Sequence, residues 1–116
     1  MFAAMLLAIT LDAGASQCFA DLLKAGGYGM RDQERAAFLI VRDDGSTGCM
    51  MWPKSNGYQS EHWDGPIPAR AYAIAHTHPR AKPLPSVHDV DEARRLSIPI
   101  YVVTPSGVTS THQSIR

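Results

Sequence analysis

The chain has no excess charge of either sign: 11 Lys and Arg balance 11 Asp and Glu over 116 residues. Without a basic run there is no face suited to tracking a phosphate backbone, so nucleic acid is not the expected partner. Cysteine is scarce, with only Cys18 and Cys49. Their spacing matches no zinc knuckle. They can pair in an oxidising compartment or remain thiols, and buried structural thiols are the reading taken, because nothing in the sequence proves export. No hydrophobic run is long enough to cross a bilayer, since the apolar stretch Met1–Thr10 falls well short of the ~20 residues required. That stretch also lacks the positive charge that opens a secretion signal, and Asp12 interrupts it. Residues 1–20 therefore read either as an N-terminal helix packed on a sheet, in a cytoplasmic protein, or as a signal peptide of a secreted or periplasmic one. Repeats and low-complexity segments are missing too, and the length suits one domain spanning residues 1–116.

What is there alternates between helical and extended patterns. From Ser16 to Ala25 the apolar residues Phe19, Leu22 and Leu23 fall at helical spacing, and Gly26, Gly27 and Gly29 end the helix. Arg35 to Arg42 is an apolar run bounded by charge, the pattern of a buried strand. Asp43-Asp44-Gly45-Ser46 offers hairpin-turn residues, and Thr47 to Trp52 returns as the antiparallel partner. Pro53 to Pro68 is rich in Gly, Pro, Ser and Asn and reads as a loop. Ala71 to His78 is a second apolar strand, Ser86 opens a helix running to about Leu96, and Ile98 to Thr104 is a third strand. Pro105-Ser106-Gly107 turns the chain into a short last strand, Val108 to Thr111. The expected class is α/β, a single-domain mixed sheet flanked by helices.

The chemistry concentrates in residues 76–89. His76 and His78 stand two apart on a strand, so their side chains share a face with about 6.5–7 Å of rise between them. Pro79, Pro83 and Pro85 forbid a regular helix or ladder in the connection. Asp89 then lies in the first turn of the next helix, where the connection can fold it back onto the strand end. Two imidazoles and a carboxylate make a three-ligand set for Zn2+ with a fourth position left for water, the pattern of a catalytic rather than a structural site. Ser86 has two compatible readings: N-cap of the helix, with Asp89 at the third position, and hydrogen-bond donor to a developing oxyanion. Two other families that use His-x-His do not fit. An amidohydrolase barrel needs about 200 residues or more, and Pro79-Arg80-Ala81 stands where a metallo-β-lactamase has an Asp and a further His.

His-x-His, seven residues, then Ser-x-x-Asp resembles the signature of the JAMM/MPN+ (JAB) zinc metalloproteases, matched here at every position by His76, His78, Ser86 and Asp89. With the strand Ala73-Ile74-Ala75-His76 and the strand Ile98 to Thr104, residues 71–108 look like the bacterial branch that includes RadC-like and toxin-associated JAB domains. The resemblance implies a JAB/MPN layered fold similar to cytidine deaminases. It also implies a metallopeptidase or isopeptidase activity, with zinc on His76, His78 and Asp89. It implies Ser86 as oxyanion stabiliser and an upstream glutamate as general base. Glu34, just before the first strand, occupies that place; Asp32 is two residues off, and Glu61 is the second candidate. The Glu-x-Gly-Gly type of segment found in many deubiquitinating relatives is not evident, and there is no room for their long insertions. Candidate substrates are a ubiquitin-like tail, a toxin-precursor junction or, for an exported chain, a cell-wall peptide. The competing expectations are a JAB-like binding module without catalysis and a RadC-like protein associated with nucleic acid.

Plainer readings suffice elsewhere. His88 is expected on an exposed helix face, and His62 and His112 at the surface. Arg80 and Lys82 are loop charges that can draw in a substrate carboxylate. Trp52, Tyr58 and Trp63 pack under the Gly/Pro-rich loop or wall a substrate. Asp91-Glu92 and Arg94-Arg95 form intrahelical charge pairs.

Overall fold

The computed structural model describes residues 11–29, 34–53, 63–78 and 82–111. Asp12 begins the order. Its Oδ1 accepts the Ala15 amide at 3.0 Å and its Oδ2 accepts the Thr47 amide at 3.0 Å, so one carboxylate both caps helix α1 (Ala13–Ala25) and fastens it to strand β2 (Thr47–Met51). The helix thus starts three residues before Ser16, where the apolar spacing had placed it. The approach at this end is very close, because a Cβ added to Gly14 would lie 2.1 Å from the Thr47 carbonyl oxygen. Gly26 caps the other end, followed by Gly27 at φ 66, a left-handed conformation that glycine adopts without steric cost.

Among the described residues five strands make one mixed sheet in the order β2-β1-β3-β4-β5, where β1 is Ala36–Val41, β3 Ala71–Thr77, β4 Ile100–Thr104 and β5 Gly107–Ser110. Among the described strands only the β3–β4 pair is parallel; helix α2 (Val87–Leu96) lies between these strands in the chain. Alternate side chains serve opposite faces. Ala37, Leu39, Ala73, Ala75, Tyr101 and Val103 pack against Ala15, Cys18, Phe19 and Leu22 of α1. Ala36, Phe38, Ile74 and Ile100 face the other way, onto Trp52 and Ala93 of α2. Burial on both faces explains why β1 reads as a continuous apolar run rather than an alternating one. Ile98 and Pro99, expected within the third long strand, precede it. Ser97 ends α2 in the left-handed region, and β4 begins only at Ile100.

The free-thiol reading of the cysteines is corrected: Cys18 and Cys49 are joined as a disulfide, with Cα atoms 5.3 Å apart. The sheet register explains it. Cys49 is paired with Leu39, whose side chain lies in the α1 layer, so Cys49 meets the helix that carries Cys18. A bond closing a 31-residue separation stabilises a fold by roughly 3–4 kcal/mol through the unfolded chain. Reduction is expected to lower the melting temperature visibly, and Cys49→Ser should give the same shift with no further response to reductant.

The first ten residues of the N-terminal stretch lie outside the described residues. Ala15, Cys18 and Phe19 belong to the core, so a cut after residue 20 would remove them with the first turns of α1. Among the described residues, no helix is long and apolar enough to cross a membrane.

Candidate metal centre

The site is built where β3 ends beside β1. His76 is the last residue but one of β3, in register with Ala36 of β1 and Val102 of β4, and its side chain points to the α2 face with Ile74. His78 follows two residues later, and the rings stand edge to face with centroids 4.8 Å apart. Between them Thr77 points the other way and does a separate job. Its Oγ1 accepts the Arg35 amide at 3.0 Å, and its own amide donates to the Arg35 carbonyl at 2.9 Å. These two bonds hold the chain before β1 against the end of β3, which sets Glu34 next to His76.

From the opposite side comes α2. Ser86 is its N-cap: Ser86 Oγ accepts the Asp89 amide at 3.1 Å, and Asp89 Oδ2 accepts the Ser86 amide at 2.8 Å. This reciprocal box fixes the Asp89 rotamer, with Asp in the place where Glu or Gln is usual. The carboxylate so held faces both rings, with Oδ1 3.0 Å from His76 Nε2 and Oδ2 2.7 Å from His78 Nε2. The other ring nitrogens are occupied too. His76 Nδ1 lies 2.8 Å from Glu34 Oε1, and His78 Nδ1 lies 2.8 Å from the Lys82 carbonyl oxygen. All four side chains are secluded, with relative exposures of 11% for Glu34, 6% and 7% for the imidazoles and 4% for Asp89.

This environment favours positive charge between the carboxylates. Burial works against a charged His76, but the hydrogen bonds and charges of Asp89 and Glu34 outweigh it and raise its pKa to about 9. Burial likewise works against ionised Asp89, yet hydrogen bonds from His76 and His78, the His76 charge and the Ser86 amide hold it well below the usual carboxylate range.

The residues fit a metal ion on two observations. His76 Nε2 is buried, and its 3.0 Å contact with Asp89 Oδ1 is poorly aligned, which leaves this nitrogen under-satisfied. A ligand atom from each of Glu34, His76 and His78 also lies within 4.8 Å of the others, a span one ion can bridge. Nitrogen and carboxylate donors of this kind suit zinc among other first-row ions. Each ring has one nitrogen turned to Asp89 and the other held by a carboxylate or carbonyl, which is how a protein orients imidazole ligands.

Beside the cluster is a cavity of about 20 Å³, room for roughly one water. His76 and Asp89 line it together with Ile74, Leu96 and Ile100. His88 also lines it while remaining exposed on α2, as its position in the sequence suggested. Trp52 and Trp63 serve packing here: their rings meet that of Phe38 tilted and edge to face, at centroid distances of 5.3 and 4.8 Å. Glu92 and Arg95 form the expected intrahelical pair.

Glu34, His76, Asp89 and His78 are thus linked in one chain of contacts, and Ser86 joins it through Asp89. Sequence reasoning missed Lys82, which contributes its main-chain carbonyl rather than its ammonium group. The Lys82-Pro83 step was the available signal, because a residue before proline is restricted to extended conformations. Asp32, Tyr58, Glu61, His62, Arg80 and His112 lie outside the described residues. Set against known proteins, the chain matches no family model, no curated protein and no solved structure.

Proposed function

We propose that the chain is a zinc-dependent metallopeptidase or isopeptidase of the JAMM/MPN+ (JAB) kind, with His76, His78 and Asp89 as ligands. One observation carries this reading: both Nε2 atoms turn towards a single Asp89 carboxylate whose rotamer is locked by the helix cap. The mixed sheet, with His-x-His at the end of β3 and Ser-x-x-Asp opening α2, is the layout expected of that fold. Zinc supplies Lewis acidity and an acidified water when bound.

The chain's own groups account for the proton transfers. Glu34 brings a secluded carboxylate to His76. In this reading it takes a proton from the attacking water and returns it to the leaving amine. Ser86 Oγ accepts the Asp89 amide, and no acceptor for its own hydroxyl proton is found among the described residues. That proton can be donated to the oxyanion of the tetrahedral intermediate. The substrate class is a peptide or isopeptide, drawn from a protein tail or a cell-wall peptide.

The direct test is metal analysis coupled to peptide hydrolysis. About one zinc per chain is expected after loading, with hydrolysis lost on chelation and regained on adding zinc back. A folded chain that takes up no divalent ion would end the proposal.

A further inference from the structure

One imidazole of the site is oriented by a loop with little burial to hold it. Lys82, Pro83 and Leu84 are exposed, Leu84 by 68%. Yet the Lys82 carbonyl must stay in place to accept the His78 Nδ1 proton at 2.8 Å, because a carbonyl cannot donate. The proline after Lys82 limits that residue's backbone but does not anchor the loop to the sheet.

The anchor comes from β5. His76 of β3, Val102 of β4 and Thr109 of β5 form one row across the sheet. Paired residues in a row share a face, so Thr109 lies on the side of the sheet that carries the imidazoles. Its Oγ1 donates to the Pro83 carbonyl at 2.7 Å. We propose that Thr109 is a positioning residue for His78: by holding the Pro83 carbonyl it fixes the adjacent Lys82 carbonyl, which in turn fixes the ring whose Nε2 faces Asp89. The consequence for metal affinity rests on the centre proposed above. The link from Thr109 to His78 does not.

Thr109→Val tests this, because valine keeps the shape and the strand preference while removing the donor. Thr109→Ser restores the hydroxyl. Two readouts are needed. The first is the His78 Nδ1 proton resonance in chelator-treated protein. It should be downfield and slow to exchange in the parent and in Thr109→Ser, and broadened by exchange in Thr109→Val. The second is zinc affinity by competition with a chromophoric chelator. Thr109→Val is expected to weaken it about tenfold, the lower end of the effect of outer-shell partners, with recovery in Thr109→Ser. A Thr109→Val protein that melts lower but keeps the parent's His78 resonance and zinc affinity overturns the inference, leaving Thr109 a purely structural role. A parent that binds no zinc, but whose His78 proton still follows the residue at 109, upholds the positioning link and removes the metal centre instead.

Discussion

Asp89→Ala is expected to reduce bound zinc from about one equivalent per chain to none detectable, and hydrolysis with it. Its carboxylate is the only group in contact with both Nε2 atoms among the described residues, at 3.0 and 2.7 Å. The stability cost in chelator-treated protein should also be large. The substitution leaves two buried Nε2 atoms without the carboxylate they face and deletes the third-position partner of the Ser86 cap. Removing one member of a buried charged pair typically costs about 3–5 kcal/mol, and a lost cap about 1 kcal/mol. Denaturant unfolding with and without chelator separates the two effects. Asp89→Asn is the control: it keeps an oxygen for the Ser86 amide while removing the charge, so it should fold better than the alanine variant yet still hold zinc poorly. Should Asp89→Ala retain full zinc, the ligand set proposed above is wrong. The alternative set is then Glu34, His76 and His78, whose ligand atoms also lie within bridging distance.

Much of this arrangement was legible in the sequence because its parts are local. β1, β3 and β4 are buried on both faces, so they appear as apolar runs between charges and turns. His-x-His marks the α2 face of β3 through strand alternation alone, and Ser86 with Asp89 marks a helix start by the capping rule. What stayed hidden depends on contacts between distant segments. Asp12 read as an interruption of an apolar stretch, whereas it is the cap of α1, because its second oxygen has a partner 35 residues away in Thr47. The disulfide could not be read without the packing of α1 on β2, since spacing alone leaves thiols and a bond equally allowed. Lys82 escaped for another reason: a main-chain acceptor has no residue-type signature. Glu34 fell beside His76 only because Thr77 and Arg35 are cross-linked by two hydrogen bonds, a connection no pattern in either segment announces.

Glu34 is where the proposed chemistry and the observed geometry make different demands, and substitution can separate them. Its Oε1 lies 2.8 Å from His76 Nδ1, so Glu34 orients that imidazole whatever else it does. Glutamine retains an oxygen that can accept the Nδ1 proton but has no useful basicity. Glu34→Gln should therefore bind zinc within about threefold of the parent, while turnover falls by about 10²–10⁴, the usual contribution of a general base. Glu34→Ala removes both functions, and zinc affinity should now drop about 10–100-fold as well, as for other lost outer-shell carboxylates. The measurements are zinc affinity by chelator competition and kcat on a peptide substrate, with circular dichroism to show that each variant is folded. Parent-level turnover in Glu34→Gln would strip Glu34 of the base role and leave it an orienter of His76. Loss of zinc in Glu34→Gln comparable to that in Glu34→Ala would make Glu34 a ligand, and Asp89 would then be the carboxylate left to handle the proton.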